Sequence, residues 1–268
     1  MNPPDYSLLD REGASARIFF PRPDDSDAPD GARDYDIEVA RGVTLGARFY
    51  AADAAWPTIL YFHGNGEVVG DHDDIAPLYH ERASANLFVV DFRGYGRSGG
   101  RPSFATLAGD AHPVAARFHE LLDELGFPGA RFVMGRSLGS HPALEIAANA
   151  AERFAGVIIE SGAASLRRVV SYLGASISGD EAQALSAAHE AKIRAIQRPA
   201  LIIHGEQDEL VPLTVAEELY DLLAATERER EIVVIPGAGH NDLLWVGLVP
   251  YFTAIASFLR RNSPSANR

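Results

Sequence analysis

The chain of 268 residues contains no cysteine. Disulfides, cysteine zinc sites and thiol nucleophiles are therefore excluded, and a reducing compartment is permitted. Basic residues are few: 24 Lys and Arg stand against 37 Asp and Glu, a net charge of −13. Such a chain repels a nucleic-acid backbone and an anionic membrane, so neither is expected as its main partner. No segment approaches the ~18 uninterrupted apolar residues of a membrane span. The opening segment MNPPDYSLLDREGAS lacks the basic start and the apolar core of a signal peptide. Internal repeats and low-complexity tracts are missing too. What remains, 47% apolar and 23% charged, is the composition of a soluble globular protein. A cytoplasmic location is expected.

Residues Pro21 to Asp36 are rich in Pro, Asp and Gly and read as a solvated loop. Beyond them, short apolar runs alternate with longer amphipathic ones. Strands are expected at Asp36–Ala40, Thr44–Tyr50, Thr58–Phe62, Leu87–Phe92, Arg131–Met134, Gly156–Glu160, Ala200–His204 and Glu231–Ile235. The last six lack polar alternation, as strands covered on both faces do. Helical spacing falls at about Ile75–Ala85, Phe104–Leu125, Leu138–Ala150, Thr214–Ala225 and Leu243–Arg261. This order predicts an α/β fold, a mostly parallel eight-stranded sheet with helices on both faces. The first two strands should form an antiparallel hairpin at one edge. Residues 1–34 are expected as an N-terminal extension and residues 35–268 as a single domain. About forty residues separate Glu160 from Ala200, more than a simple crossover needs. Two helical patterns there, Ala164–Leu173 and Glu181–Ala195, predict a small cap inserted at about residues 163–195.

Ligands of an open parallel sheet bind beyond the carboxyl ends of its strands, so the residues just after each strand carry the argument. The pattern G-x-S-x-G occurs twice, at Gly96–Gly100 and Gly135–Gly139. A nucleophile elbow needs a strand running into the serine and a helix leaving it. Only Ser137 has both; Ser98 begins too far beyond its strand, and Pro102 follows. A serine hydroxyl is a poor nucleophile without a base, and the base needs an orienting partner. His240 follows the last strand in Gly-Ala-Gly-His and is the candidate base. Of Glu206, Asp208 and Glu209 after the seventh strand, Asp208 is the candidate acid, its neighbours facing solvent; Glu160 is the fallback. His63 and His204 should be buried and hydrogen-bonded. His72, Asp73 and Asp74 read as a solvated helix start, because adjacent residues cannot all point at one ion. The loop Gly94–Gly100 lacks the lysine of a phosphate-binding turn.

On His63-Gly64-Asn65-Gly66, the loop Asp91 to Ser98, the elbow at Ser137, His204 to Asp208 with Val211-Pro212, and Gly239-His240, the sequence resembles the α/β-hydrolase superfamily. Within it the chain is similar to the small-capped monoacylglycerol lipases, depalmitoylating thioesterases and serine-aminopeptidase-like proteins. The resemblance implies the α/β-hydrolase fold with Ser137 as nucleophile, Asp208 as acid and His240 as base. It also implies an oxyanion hole from the backbone N–H groups of Asn65 and Leu138. Aspartate stands at the elbow in dehalogenases and epoxide hydrolases of this fold, so Ser137 argues against both. The expected function is cleavage of a small-molecule acyl substrate, an ester or thioester, with no cofactor and no metal. The alternatives are amide or peptide hydrolysis by the same triad, and a non-catalytic ligand-binding protein. An apolar side of the cap, Leu166, Val169, Val170, Tyr172 and Leu173, is expected to wall a pocket for a short or medium acyl chain.

Overall fold

In the computed structural model, which describes residues 3–162, 166, 169–170, 177–223 and 229–264, the middle strands are buried on both faces. In chain order the strands are β1 (Ala32–Ala40), β2 (Val43–Tyr50), β3 (Thr58–Phe62), β4 (Asn86–Val90), β5 (Arg131–Arg136), β6 (Gly156–Glu160), β7 (Ala200–Gly205) and β8 (Arg230–Ile235). They form one sheet in the order β1-β2-β4-β3-β5-β6-β7-β8. The β1–β2 and β2–β4 pairs are antiparallel and every other pair is parallel. Successive strand side chains point to opposite faces. Leu60, Phe88, Val157 and Ile202 enter one core cluster, and their neighbours Ile59, Leu87, Ile158 and Leu201 enter the other. Two covered faces leave no place for a polar alternate.

Helices α2 (Phe104–Gly109), α3 (Ala111–Leu125), α4 (Ser140–Asn149), α5 (Gly179–Arg194) and α6 (Leu213–Leu222) cover the first face. Helices α1 (Ala76–Ala83), α7 (Leu243–Val246) and α8 (Leu248–Asn262) cover the second. Two expected single helices are each divided, at Asp110 and at Gly247. The reason is the same: Pro113 and Pro250 lack the N–H that would bond back to Gly109 and Val246. The helix after the elbow also differs from its amphipathic expectation. Every residue of α4 from Ser140 to Ala147 is buried, because α2, α3 and α5 enclose it against the sheet.

The loop expected at Pro21 to Asp36 is shorter than its composition implied. β1 starts at Ala32, paired with Tyr50, so the boundary expected after residue 34 falls inside a strand. Ahead of it a 3-10 helix spans Tyr6–Arg17. It is docked on the body: Leu9 is fully buried, and Asp10 accepts the N–H groups of Phe104 (2.8 Å) and Ala105 (3.0 Å) at the start of α2. Of the segment expected to form a cap, α5 matches the second helical pattern and opens on a Ser178–Glu181 capping box. The first pattern, Ala164–Leu173, lies mostly outside the described residues, Tyr172 and Leu173 included. Leu166 is buried in the core, and Val169 and Val170 pack half-buried against it.

Three segments distant in sequence meet at one buried ammonium. Lys192 of α5 donates to Glu145 Oε2 of α4 (2.8 Å) and to Tyr6 Oη (2.6 Å), which also meets His189 Nδ1 at 2.7 Å. Removing one partner of such a pair leaves a buried charge uncompensated. Lys192→Met should therefore lower the unfolding free energy by about 3 kcal/mol. Adding Glu145→Leu should restore most of it, as read from urea unfolding curves.

Candidate active site

The sheet order reverses at β3. The chain leaves β3 for β4 on one side, then returns to place β5 on the other, and the crevice between β3 and β5 opens at their carboxyl ends. Ser137 follows β5 directly at φ +50°, a left-handed value rare for a residue with a side chain. Gly135 and Gly139 make that turn possible. A Cβ on Gly135 would overlap the Gly139 carbonyl, and one on Gly139 would overlap the carbonyls of Phe62 and His63. The turn carrying Ser137 and Leu138 thus lies against the strand end that leads into Asn65.

Ser137 Oγ stands 3.0 Å from His240 Nε2, and His240 Nδ1 stands 2.7 Å from Asp208 Oδ2. The three candidates, 103 and 32 residues apart in sequence, are brought together. Asp208 Oδ1 accepts the N–H groups of Leu210 (3.0 Å) and Val211 (2.7 Å), so the buried carboxylate is held at both oxygens. With Nδ1–H donated to Asp208, Nε2 is free to accept the serine proton. Burial pushes the His240 pKa below its ordinary value; Arg136 and His204 act in the same sense, and Asp208 opposes them.

Asn65 is fixed by its side chain. Its Oδ1 accepts from Tyr95 Oη (2.6 Å) and the Phe20 N–H (3.0 Å), and its Nδ2 donates to the Ile18 carbonyl (2.5 Å). The neighbouring Gly64 N–H is taken by Glu67 Oε2 at 2.8 Å. Leu138 is the second residue of the 3-10 turn that opens α4, where N–H groups lack intrahelical acceptors.

The other candidates separate cleanly. Ser98 Oγ accepts the Gly46 N–H (2.9 Å) and braces the loop after β4 against β2. Glu206 and Glu209 are exposed. Glu160 is buried and holds Arg136 (3.2 Å) and Tyr251 (2.7 Å), not the histidine. His63 and His204 are fully buried, each bonded to a carbonyl, of Gly64 and Val211 respectively, at 2.7 Å. The solvated helix start at His72 is a correction. His72 is buried against the Tyr61 ring, and Asp73 accepts from Arg48 and Tyr50; Asp74 alone is exposed. No sequence signal marked that burial, since the apolar partner comes from a different strand. Among the described residues no three His, Cys, Asp or Glu side chains converge to hold a metal, and no helix is long and apolar enough to cross a membrane. The sequence reading also passed over Arg136 and Glu67, which join each other beside His240 and line a cavity of about 240 Å³ there. A charged residue between Gly135 and Ser137, at the end of an apolar strand, was the available signal.

Comparison with known proteins gives the family. Residues 128–256 match the model of the Prolyl oligopeptidase family and residues 54–179 that of the Serine aminopeptidase family, and both stretches include the elbow. Protein bem46 of Schizosaccharomyces pombe is 30% identical over 77% of this chain and 68% of its own length. Alpha/beta hydrolase domain-containing protein 17C of Xenopus tropicalis is 29% identical over 76% of this chain and 62% of its own. The esterase Pf2001 of Pyrococcus furiosus superposes with a TM-score of 0.70 at 18% identity, covering 90% of this chain and 99% of that one, which speaks to the fold alone. Sheet order, elbow and relatives point the same way: the chain belongs to the α/β-hydrolase superfamily and is a hydrolase.

Proposed function

We propose that the protein is a serine hydrolase that cleaves a carboxylic ester or thioester of a small molecule. The observation that carries this reading is the unbroken line Ser137 Oγ, His240 Nε2, His240 Nδ1, Asp208 Oδ2, with a serine held in a strained turn at its head. His240 takes the Ser137 proton as Oγ attacks the carbonyl carbon, and the negative charge moves to the carbonyl oxygen. The backbone N–H groups of Asn65 and Leu138 receive that oxyanion, and Asp208 supports the imidazolium. Collapse breaks the bond to the alcohol or thiol, which leaves with the proton from His240. Water, activated by the same histidine, then hydrolyses the acyl-enzyme.

A second reading, amide or peptide hydrolysis by the same residues, draws support from the two family descriptions, both of peptidases. Matched ester and amide substrates in parallel assays separate the two by kcat/KM.

Labelling by a fluorophosphonate tests the serine. The wild type and Ser98→Ala should label, and Ser137→Ala should not; label retained in Ser137→Ala sinks the assignment. Asp208→Asn should lower kcat by up to ~10⁴-fold, through the wrong histidine tautomer and an unsupported imidazolium. Exposed Glu209→Gln should change it little. The base must be neutral to act, and His240 is held below its ordinary 6.5. Turnover should therefore rise with pH through a midpoint under 6.5, and a midpoint above that value contradicts the environment described for His240.

A further inference from the structure

One guanidinium ties together the pieces that the proposed mechanism requires to be in register. Arg136, immediately before Ser137, donates from Nε to Glu160 Oε1 (3.2 Å) at the end of β6. Its Nη1 donates to Glu67 Oε1, and Glu67 with its other oxygen holds the Gly64 N–H next to Asn65 (2.8 Å). Its Nη2 donates to the His240 carbonyl (2.9 Å) and to Asn241 Oδ1 (3.2 Å). Glu160 is in turn fixed by Tyr251 of α8 (2.7 Å). The serine strand, the loop carrying Asn65 and the loop carrying the histidine therefore share one side chain. A planar fork with five N–H donors can serve these directions at once, and an ammonium on a flexible stem cannot.

Resting on the serine-hydrolase reading, we infer that Arg136 is a positioning residue: it sets the His240 loop and, through Glu67, the Asn65 loop relative to Ser137. It does not touch the reacting atoms. The guanidinium is nearly enclosed, and two carboxylates balance it, so it is not a surface pair of little consequence. Ser140 Oγ braces the elbow from the other side, on the Ser137 carbonyl (2.7 Å), and cannot replace a link that crosses to the histidine loop.

The test uses the second-order rate of fluorophosphonate labelling, which needs no knowledge of the natural substrate. Arg136→Lys keeps the charge and loses the fork; it should label roughly 10- to 100-fold more slowly while remaining folded by circular dichroism. Its acid limb should stay where the wild type has it. Arg136→Gln removes a charge that opposes protonation of His240, so its acid limb should move to higher pH; slower labelling in Arg136→Lys with the acid limb unmoved therefore separates lost positioning from lost charge. If Arg136→Lys does not fold, Glu67→Gln, at a partly exposed position, is read in its place and should also label more slowly. Labelling within about twofold of wild type in either folded variant overturns the inference, as does failure of both to fold, which assigns the link to stability. If the wild type itself does not label, the serine-hydrolase reading falls and takes the inference with it.

Discussion

The turn after β5 is the constraint on which the remainder depends. It exists because Gly135 and Gly139 have no side chains where the Gly139 carbonyl and the carbonyls of Phe62 and His63 press in. That closeness has two consequences. It forces Ser137 to φ +50°, lifting its hydroxyl out of the strand toward His240, and it sets α4 directly against the end of β3. A wider turn would relax the serine and separate it from the loop that carries Asn65. The buried length of α4, enclosed by α2, α3 and α5, is what makes so strained a turn sustainable, since the strain is small beside the apolar area that holds the helix in place.

Three buried charges of this molecule are each satisfied by more than one partner. Asp208 is closed off from water and satisfied by two backbone N–H groups and an imidazole. Arg136 has two carboxylates and a carbonyl, and Lys192 has a carboxylate and a phenol. At Arg136 and Lys192 the partners come from elements far apart in the chain, and at Asp208 the imidazole does, so the same contacts that offset desolvation also register one segment on another. At Lys192 they lock the N-terminal segment and α5 onto α4. At Arg136 they join three of the strand-end loops.

Much of the architecture was legible from local pattern. Apolar runs at Thr58–Phe62, Gly156–Glu160 and Ala200–His204 read as doubly covered strands and are such strands, because burial on both faces leaves a continuous signature. Turn chemistry did the same for Ser137, where glycines two residues to either side have a steric reason to be there. Errors fell where composition stood in for structure. The end of the Pro-, Asp- and Gly-rich stretch, Ala32 to Tyr35, read as loop, yet pairing with β2 makes it strand. His72 read as solvated because its sequence neighbours are aspartates, whereas the Tyr61 ring that buries it lies on β3. Pro113 and Pro250 were visible all along, and an apolar periodicity that continues across them hides the break in the backbone ladder.

By itself, then, the order of short apolar runs, glycine-flanked serine, Asp208 and Gly239-His240 determined the class of fold and the identities of the three candidate residues, since each rests on spacing within a dozen residues. Only the tertiary structure decided that His240 faces Asp208 and not Glu160, that Ser98 is a brace, and that Arg136 spans three loops. Those outcomes depend on which strand ends lie side by side, and the order β4-β3-β5-β6-β7-β8 is set by packing and crossover across the whole sheet. A chain pattern read a few residues at a time has no access to that order, because the energy that selects it is shared among contacts tens to a hundred residues apart.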